Sequence, residues 1–166
     1  MTICELTIEN AQDFLSMQLQ LDTETNNMMF EPGERANDIN NVHRNIENNK
    51  RSGSSVFLAY IGDKCVGFLI ANRGSMRRIR HTAYIVISIL QAHRGKGVGS
   101  ALFDNLMIWA EKNTLKRLEL TVMTHNNTGI QLYKKHGFEI EGTKKCAMLV
   151  NQHYVDEYYM AKILHE

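Results

Sequence analysis

Residues Gln91–Leu102 read QAHRGKGVGSAL, and the glycines of this stretch, Gly95, Gly97 and Gly99, restrict most what the chain can become. The β-branched run His81–Leu90 (HTAYIVISIL) ends just before them. A helical stripe of Val98, Ala101, Leu102, Leu106, Trp109 and Ala110 begins among them. One glycine suffices for a plain strand-to-helix turn. Glycines at alternate positions leave successive backbone N–H groups bare at a helix N-terminus, where unsatisfied donors and partial positive charge favour an anion. Arg94 and Lys96 add cationic charge, so the stretch predicts a turn that binds phosphate or pyrophosphate. Two familiar phosphate loops fail on spacing. The P-loop needs glycine where Leu90 stands and Ser or Thr where Gly97 stands. The dinucleotide pattern needs glycine at Ser100 or Leu102.

The rest of the chain supplies the frame for such a turn. Thr2–Ile8 alternates as a first strand, and Asn10–Leu21 and Glu34–Lys50 have helical spacing. Ser54–Ile61 and Lys64–Ala71 form a hairpin around Gly62-Asp63, and His81–Leu90 is the next strand. Helix Gly97–Asn113, strand Arg117–Thr124 and helix Thr128–His136 follow, the last stopped by Gly137. Phe138–Leu149 and Tyr154–Ile163 close the chain as two strands around Asn151–His153. This order implies an α/β (α+β) fold, a mixed sheet with helices on both faces.

The 166 residues predict a single domain over residues 1–166. Apolar residues make up 43%, which excludes a disordered class. Nineteen basic side chains against 18 acidic ones give no general attraction to nucleic acid or to an anionic membrane. The N-terminus MTICELTIENAQDF is not a signal peptide, and no segment reaches the length of a membrane span. Cys4, Cys65 and Cys146 are odd in number and far apart, so no disulfide framework is expected. The histidines lack metal-ligand spacing, and no metal is expected. The expectation is a cytoplasmic protein. Cys65 and Cys146 fall in predicted strands and are expected to be buried. The nine methionines scatter as core filler, and Trp109 belongs to the helix stripe.

Arg94-x-x-Gly97-x-Gly99 resembles the coenzyme A loop of the GCN5-related N-acetyltransferase (GNAT) superfamily. Asn126, seven residues before Tyr133, followed by Leu132-Tyr133-x-x-x-Gly137-Phe138, is similar to that superfamily's later signature. The resemblance covers roughly residues 55–163. It implies about seven mostly antiparallel strands, about four helices and central strands splayed apart by the cofactor. It also implies acetyl-CoA as cosubstrate, gripped through Arg94, Gly95, Lys96, Gly97, Val98, Gly99 and Ser100, with the backbone of Ile87, Ser88 and Ile89 along the pantetheine arm. The activity implied is acetyl transfer to a primary amine, a small amine or amino acid being the favoured acceptor. Alternatives are a protein N-terminus or lysine, and a module that binds acyl-CoA without turnover. Homodimers are common in the superfamily, and the closing strand with Tyr154, Val155, Tyr158 and Tyr159 is the candidate contact.

The resemblance makes Tyr133 the catalytic acid for the departing thiolate. A core tyrosine is the plain alternative. Asn126 either contacts the pantetheine or caps the helix of Tyr133, with Asn127 as rival cap. The strand before the glycines carries no glutamate, so the proton acceptor stays open among Glu31, Glu34, His81 and His125. Glu31 and Glu34 flank Pro32-Gly33 beside Met28-Met29-Phe30, either as acids facing a cationic amine substrate or as a solvated helix start. Arg73, Arg77, Arg78 and Arg80 read as a solvated hairpin end, with an acidic substrate or RNA as the alternative.

Overall fold

The computed structural model describes residues 1–164. Seven strands form one sheet in the order β1-β2-β3-β4-β5-β7-β6. They are β1 (Thr2–Glu5), β2 (Ser55–Ile61), β3 (Lys64–Arg73), β4 (Thr82–Ile89), β5 (Arg117–Met123), β6 (Glu139–Val150) and β7 (His153–Ile163). The helices are α1 (Ala11–Glu24), α2 (Ile39–Ser52), α3 (Val98–Lys112) and α4 (Asn127–Lys135). Every strand pair is antiparallel except β4 with β5. A parallel pair needs a crossover connection, and α3 lies within it.

β2 and β3 read as nearly unbroken apolar runs because helices cover both of their faces. On one face Phe57, Ala59, Leu69 and Ala71 meet Leu102, Phe103 and Leu106 of α3, and this core continues to Leu118, Leu120 and Val122 of β5. On the other, Val56, Leu58 and Phe68 pack with Phe14, Leu21 and Ile46 of α1 and α2. Each fully buried Leu or Phe contributes on the order of 2 kcal/mol from lost water contact.

The main departure from the sequence reading lies before α2. That helix begins at Ile39 rather than Glu34, because the Asp38 carboxylate accepts the Asn40 N–H and caps it there. Arg35 is turned away to Asp22 of α1, its Nε at 2.6 Å and its Nη2 at 3.0 Å from the two carboxylate oxygens. Its guanidinium also stands 4.3 Å from the ring centre of Phe30. Residues 25–38 are therefore a moored loop. β1 is shorter than expected, ending at Glu5.

Two other expectations are corrected. Cys65 is buried but Cys146 is exposed, because the β6–β7 register slips between Lys144 and Met148 and Cys146 sits in that bulge at φ 50°. The methionines are not uniform filler: Met17, Met123 and Met160 are buried, while Met1, Met29 and Met76 are exposed. Trp109 packs against the α3 core as expected. Tyr154 and Tyr159 of β7 stand exposed.

The Asp22 side chain is 2% exposed and Arg35 14%. Arg35→Met should therefore lower folding stability by about 3 kcal/mol in urea denaturation, since it strands a buried carboxylate. Adding Asp22→Leu to that variant should recover most of the loss.

Candidate active site

β4 and β5 pair only over Thr82↔Arg117, Ala83↔Leu118 and Tyr84↔Glu119, and then diverge. A hydroxyl contact of 2.8 Å between Tyr84 and Thr121 spans the gap near the end of the ladder. Beyond it lies a cleft of about 530 Å³. The Leu90 N–H donates to the Val66 carbonyl, and the β3–β4 register runs without a shift. Alternation then turns the backbone groups of Ser88 toward β3 and those of Ile85, Ile87 and Ile89 toward the cleft. Of the predicted trio, Ser88 offers the cleft a side chain and not a backbone donor. The Ile89 carbonyl accepts from Arg94 Nε at 3.0 Å and the Tyr84↔Glu119 pair uses the Ile85 N–H, which leaves the Ile85 carbonyl, both backbone groups of Ile87 and the Ile89 N–H on the open side.

The glycines divide the work of the turn. Gly95 and Gly97 have φ of +73° and +82°, left-handed values that β-carbons resist, and the chain swings through them into α3. Gly99 has a different reason. A β-carbon there would stand 2.8 Å from Leu132 Cδ2 and 3.4 Å from Ile89 Cδ1, so glycine lets α3 close on α4 and β4. The N-terminus of α3 faces the cleft, whose wall includes Arg94, Gly95, Gly97, Val98, Gly99 and Ser100. Lys96 is not part of that wall. Lys135, which the sequence reading did not single out, is, and its Nζ lies 3.3 Å from Ser100 Oγ. Ser100 Oγ is equally close to His136 Nε2, whose ring stacks on Phe103 at 4.6 Å. Burial lowers the pKa of that imidazole and favours its neutral form.

Tyr133 enters the cleft from α4. Its ring packs on Phe103 and Phe138 and the residue is 8% exposed. Burial pushes its phenol pKa well above the usual value, with the nearby Tyr84 adding to the effect. The Asn126 side chain accepts the Gly129 N–H at 3.0 Å, so Asn126 rather than Asn127 caps α4, and it also lines the cleft.

The remaining candidates lie elsewhere. Glu31 and Glu34 are outside the cleft, and the Glu34 carboxylate accepts the Glu31 N–H at 2.8 Å. Their loop instead sends Met28 and Met29 to the wall. His81 is exposed ahead of β4, at the end of that strand remote from the glycine turn, and its carbonyl accepts the Lys116 N–H. His125 is exposed and does not line the cleft. Arg73 of the basic cluster is engaged with Asn113 and with the Arg80 carbonyl. The sequence reading missed Tyr84, Thr121, Met148 and Glu157, all of which line the cleft. Glu157 pairs with Met123 across β5 and β7, so the alternation of β5 carried the only signal of its direction. Among the described residues no cluster is arranged to hold a metal ion, and no helix is long and apolar enough to cross a membrane.

The cleft is thus electrically and chemically mixed. Its wall joins the cationic Arg94, Lys135 and α3 N-terminus with the carboxylate Glu157 and four methionines, Met28, Met29, Met123 and Met148. Unpaired backbone of β4 and the Tyr133 phenol belong to the same wall. An open gap beside an unpaired strand suits an extended amide-bearing chain, and left-handed glycines at a helix start suit its phosphates.

Comparison with known proteins agrees. The profile of the Acetyltransferase (GNAT) family matches residues 18–138. The L-amino acid N-acetyltransferase AaaT of Escherichia coli (strain K12) is 39% identical over 115 residues, 68% of this chain and 70% of that protein. The probable N-acetyltransferase san of Drosophila melanogaster is 33% identical over 95 residues, 57% of this chain and 52% of that protein. Among solved structures, an acetyltransferase of the GNAT family from Streptococcus pneumoniae superposes with a TM-score of 0.93 at 25% identity, covering 99% of each chain. The yncA structure from Salmonella typhimurium, described as a putative acetyltransferase with its cofactor acetyl-CoA, superposes at 0.87 with 19% identity over 99% of this chain and 94% of that one. The seven-stranded sheet, the splayed β4 and β5 and the match over most of its length carry one conclusion: this chain belongs to the GNAT acetyltransferase family.

Proposed function

We propose that the protein transfers the acetyl group of acetyl-CoA to the primary amine of a small acceptor, an amino acid being favoured, by direct attack with both substrates bound. The observation that carries this reading is the unpaired backbone of Ile87 and the Ile89 N–H in one cleft with the buried Tyr133 phenol. The named activity of the E. coli relative, acetylation of L-amino acids, supports the choice of acceptor.

The chemistry needs three things from the chain. The cationic groups, Arg94, Lys135 and the α3 N-terminus, bind the phosphates and fix the thioester by its far end. A backbone N–H of β4 donates to the carbonyl oxygen as negative charge develops there, and it needs no reorganisation because the strand already holds it. Tyr133 donates its proton to the leaving thiolate. Burial disfavours phenolate, so that proton stays on the ring at neutral pH until the sulfur carries charge. The acceptor binds as its ammonium and must lose a proton to water or to a carboxylate before it attacks, since β4 itself carries no glutamate.

Mixing the protein with acetyl-CoA and a panel of amino acids and simple amines should release free thiol with small acceptors. Thiol that never exceeds the acceptor-free rate would refute the proposal. Tyr133→Phe should lower kcat about 100-fold and leave the KM for acetyl-CoA within about twofold. The raised Tyr133 pKa has a separate readout. In the folded protein the tyrosinate absorbance that Tyr133→Phe removes should appear only at a higher pH than that of the exposed tyrosines.

A further inference from the structure

We infer that Glu157 and Lys144 receive the charged head group of a free amino acid, Glu157 taking the α-ammonium and Lys144 the α-carboxylate, with the acceptor's apolar side chain laid against the methionines. This rests on the transferase reading above and names its acceptor class more closely.

Among the described residues Glu157 is the one carboxylate that lines the cleft. Its side chain is 12% exposed, and its one cationic neighbour within ion-pair range is Lys144 Nζ at 3.9 Å. That separation is the outer limit of an ion pair, about 1 Å longer than a charge-assisted hydrogen bond. A carboxylate so withdrawn from water, with no close donor, has unused capacity for a cation. Asp156, next in the chain, is already engaged, accepting from Lys145 Nζ and from the Cys146 N–H. Alternation along β7 turns it to the opposite face of the strand from Glu157.

Lys144 is not part of the cleft wall itself; it faces Glu157 across the β6–β7 ladder and is 48% exposed. Its flexible stem can swing to an incoming anion. Opposite charges held loosely side by side match a zwitterion, whose ammonium and carboxylate are bonded to one carbon. A head group inserted between them replaces one loose contact by two close ones. The bulge beyond Lys144 brings Met148 to the wall that Met28 and Met29 of the moored loop also line. Thioether side chains adapt to varied apolar shapes, which suits an unbranched or branched aliphatic acceptor. A peptide N-terminus would bring the ammonium but an amide where Lys144 expects a carboxylate.

The test is calorimetric titration of L-leucine and L-leucinamide into the protein saturated with CoA, for wild type, Glu157→Gln and Lys144→Ala. Wild type should bind both, L-leucine more tightly. Lys144→Ala should weaken L-leucine about tenfold and leave L-leucinamide within about twofold, and Glu157→Gln should weaken both about tenfold or more. The CoA affinity of both variants should match wild type, which controls for folding. Lys144 is exposed, so its variant decides the matter even if Glu157→Gln fails to fold. Wild type that binds neither ligand, wild type that prefers L-leucinamide, Glu157→Gln that binds both normally, or Lys144→Ala that treats the two alike would each overturn the assignment. Binding in the expected pattern with no thiol released from acetyl-CoA would refute the transferase reading alone.

Discussion

The structure depends on a ladder that stops. β4 and β5 share three residue pairs and then part, and the rest of β4 turns peptide groups toward a cleft instead of a neighbour. Unpaired backbone is costly when it is buried, so such a gap persists only if the fold props it open and a ligand or water completes it. Here α3 and α4 wedge one face, with Gly99 letting Leu132 and Ile89 close around the helix start. The Tyr84–Thr121 hydroxyl contact ties the two strands where they separate. The site is therefore an edge made in the middle of a sheet, and its donors are fixed before any substrate arrives.

Much of this was legible in the sequence because it rests on short-range rules. The glycines predicted the turn, and the structure adds that two of them answer to backbone angle and the third to close packing. The apolar runs of β2 to β5 gave the right strands because tertiary burial and local pattern agree there. Boundaries slipped where a side chain found a distant partner. Arg35 reaching Asp22 unwound the expected start of α2, a contact over 13 residues that no periodicity reveals.

The acceptor part of the site was the least legible. Its wall combines residues from the loop after α1, from β4 and β5, and from the β6–β7 bulge. Glu157 and Met148 carry no motif. They meet the cleft only because β7 lies beside β5 and the register slips past Lys144. The acids that attracted notice, Glu31 and Glu34, sit on the right loop but point away, the Glu34 carboxylate being used to close the loop on itself. Composition placed them near the site, but neither lines the cleft, and hydrogen bonding within the loop engages the Glu34 carboxylate.

The last turn of α1 holds both ends of the molecule's work. Asp22 anchors the loop that bears Met28 and Met29, while Glu24, two residues on, accepts the Gln91 N–H at 2.8 Å just ahead of the glycines. Between its two moorings, Arg35 and the Asp38 cap at one side and α1 at the other, the tip of that loop supports little else; Met29 is 77% exposed. Its lettering can therefore drift without disturbing the sheet or the phosphate turn. Exchanging a few tip residues would reshape the methionine part of the cleft wall and leave the glycine turn as it stands.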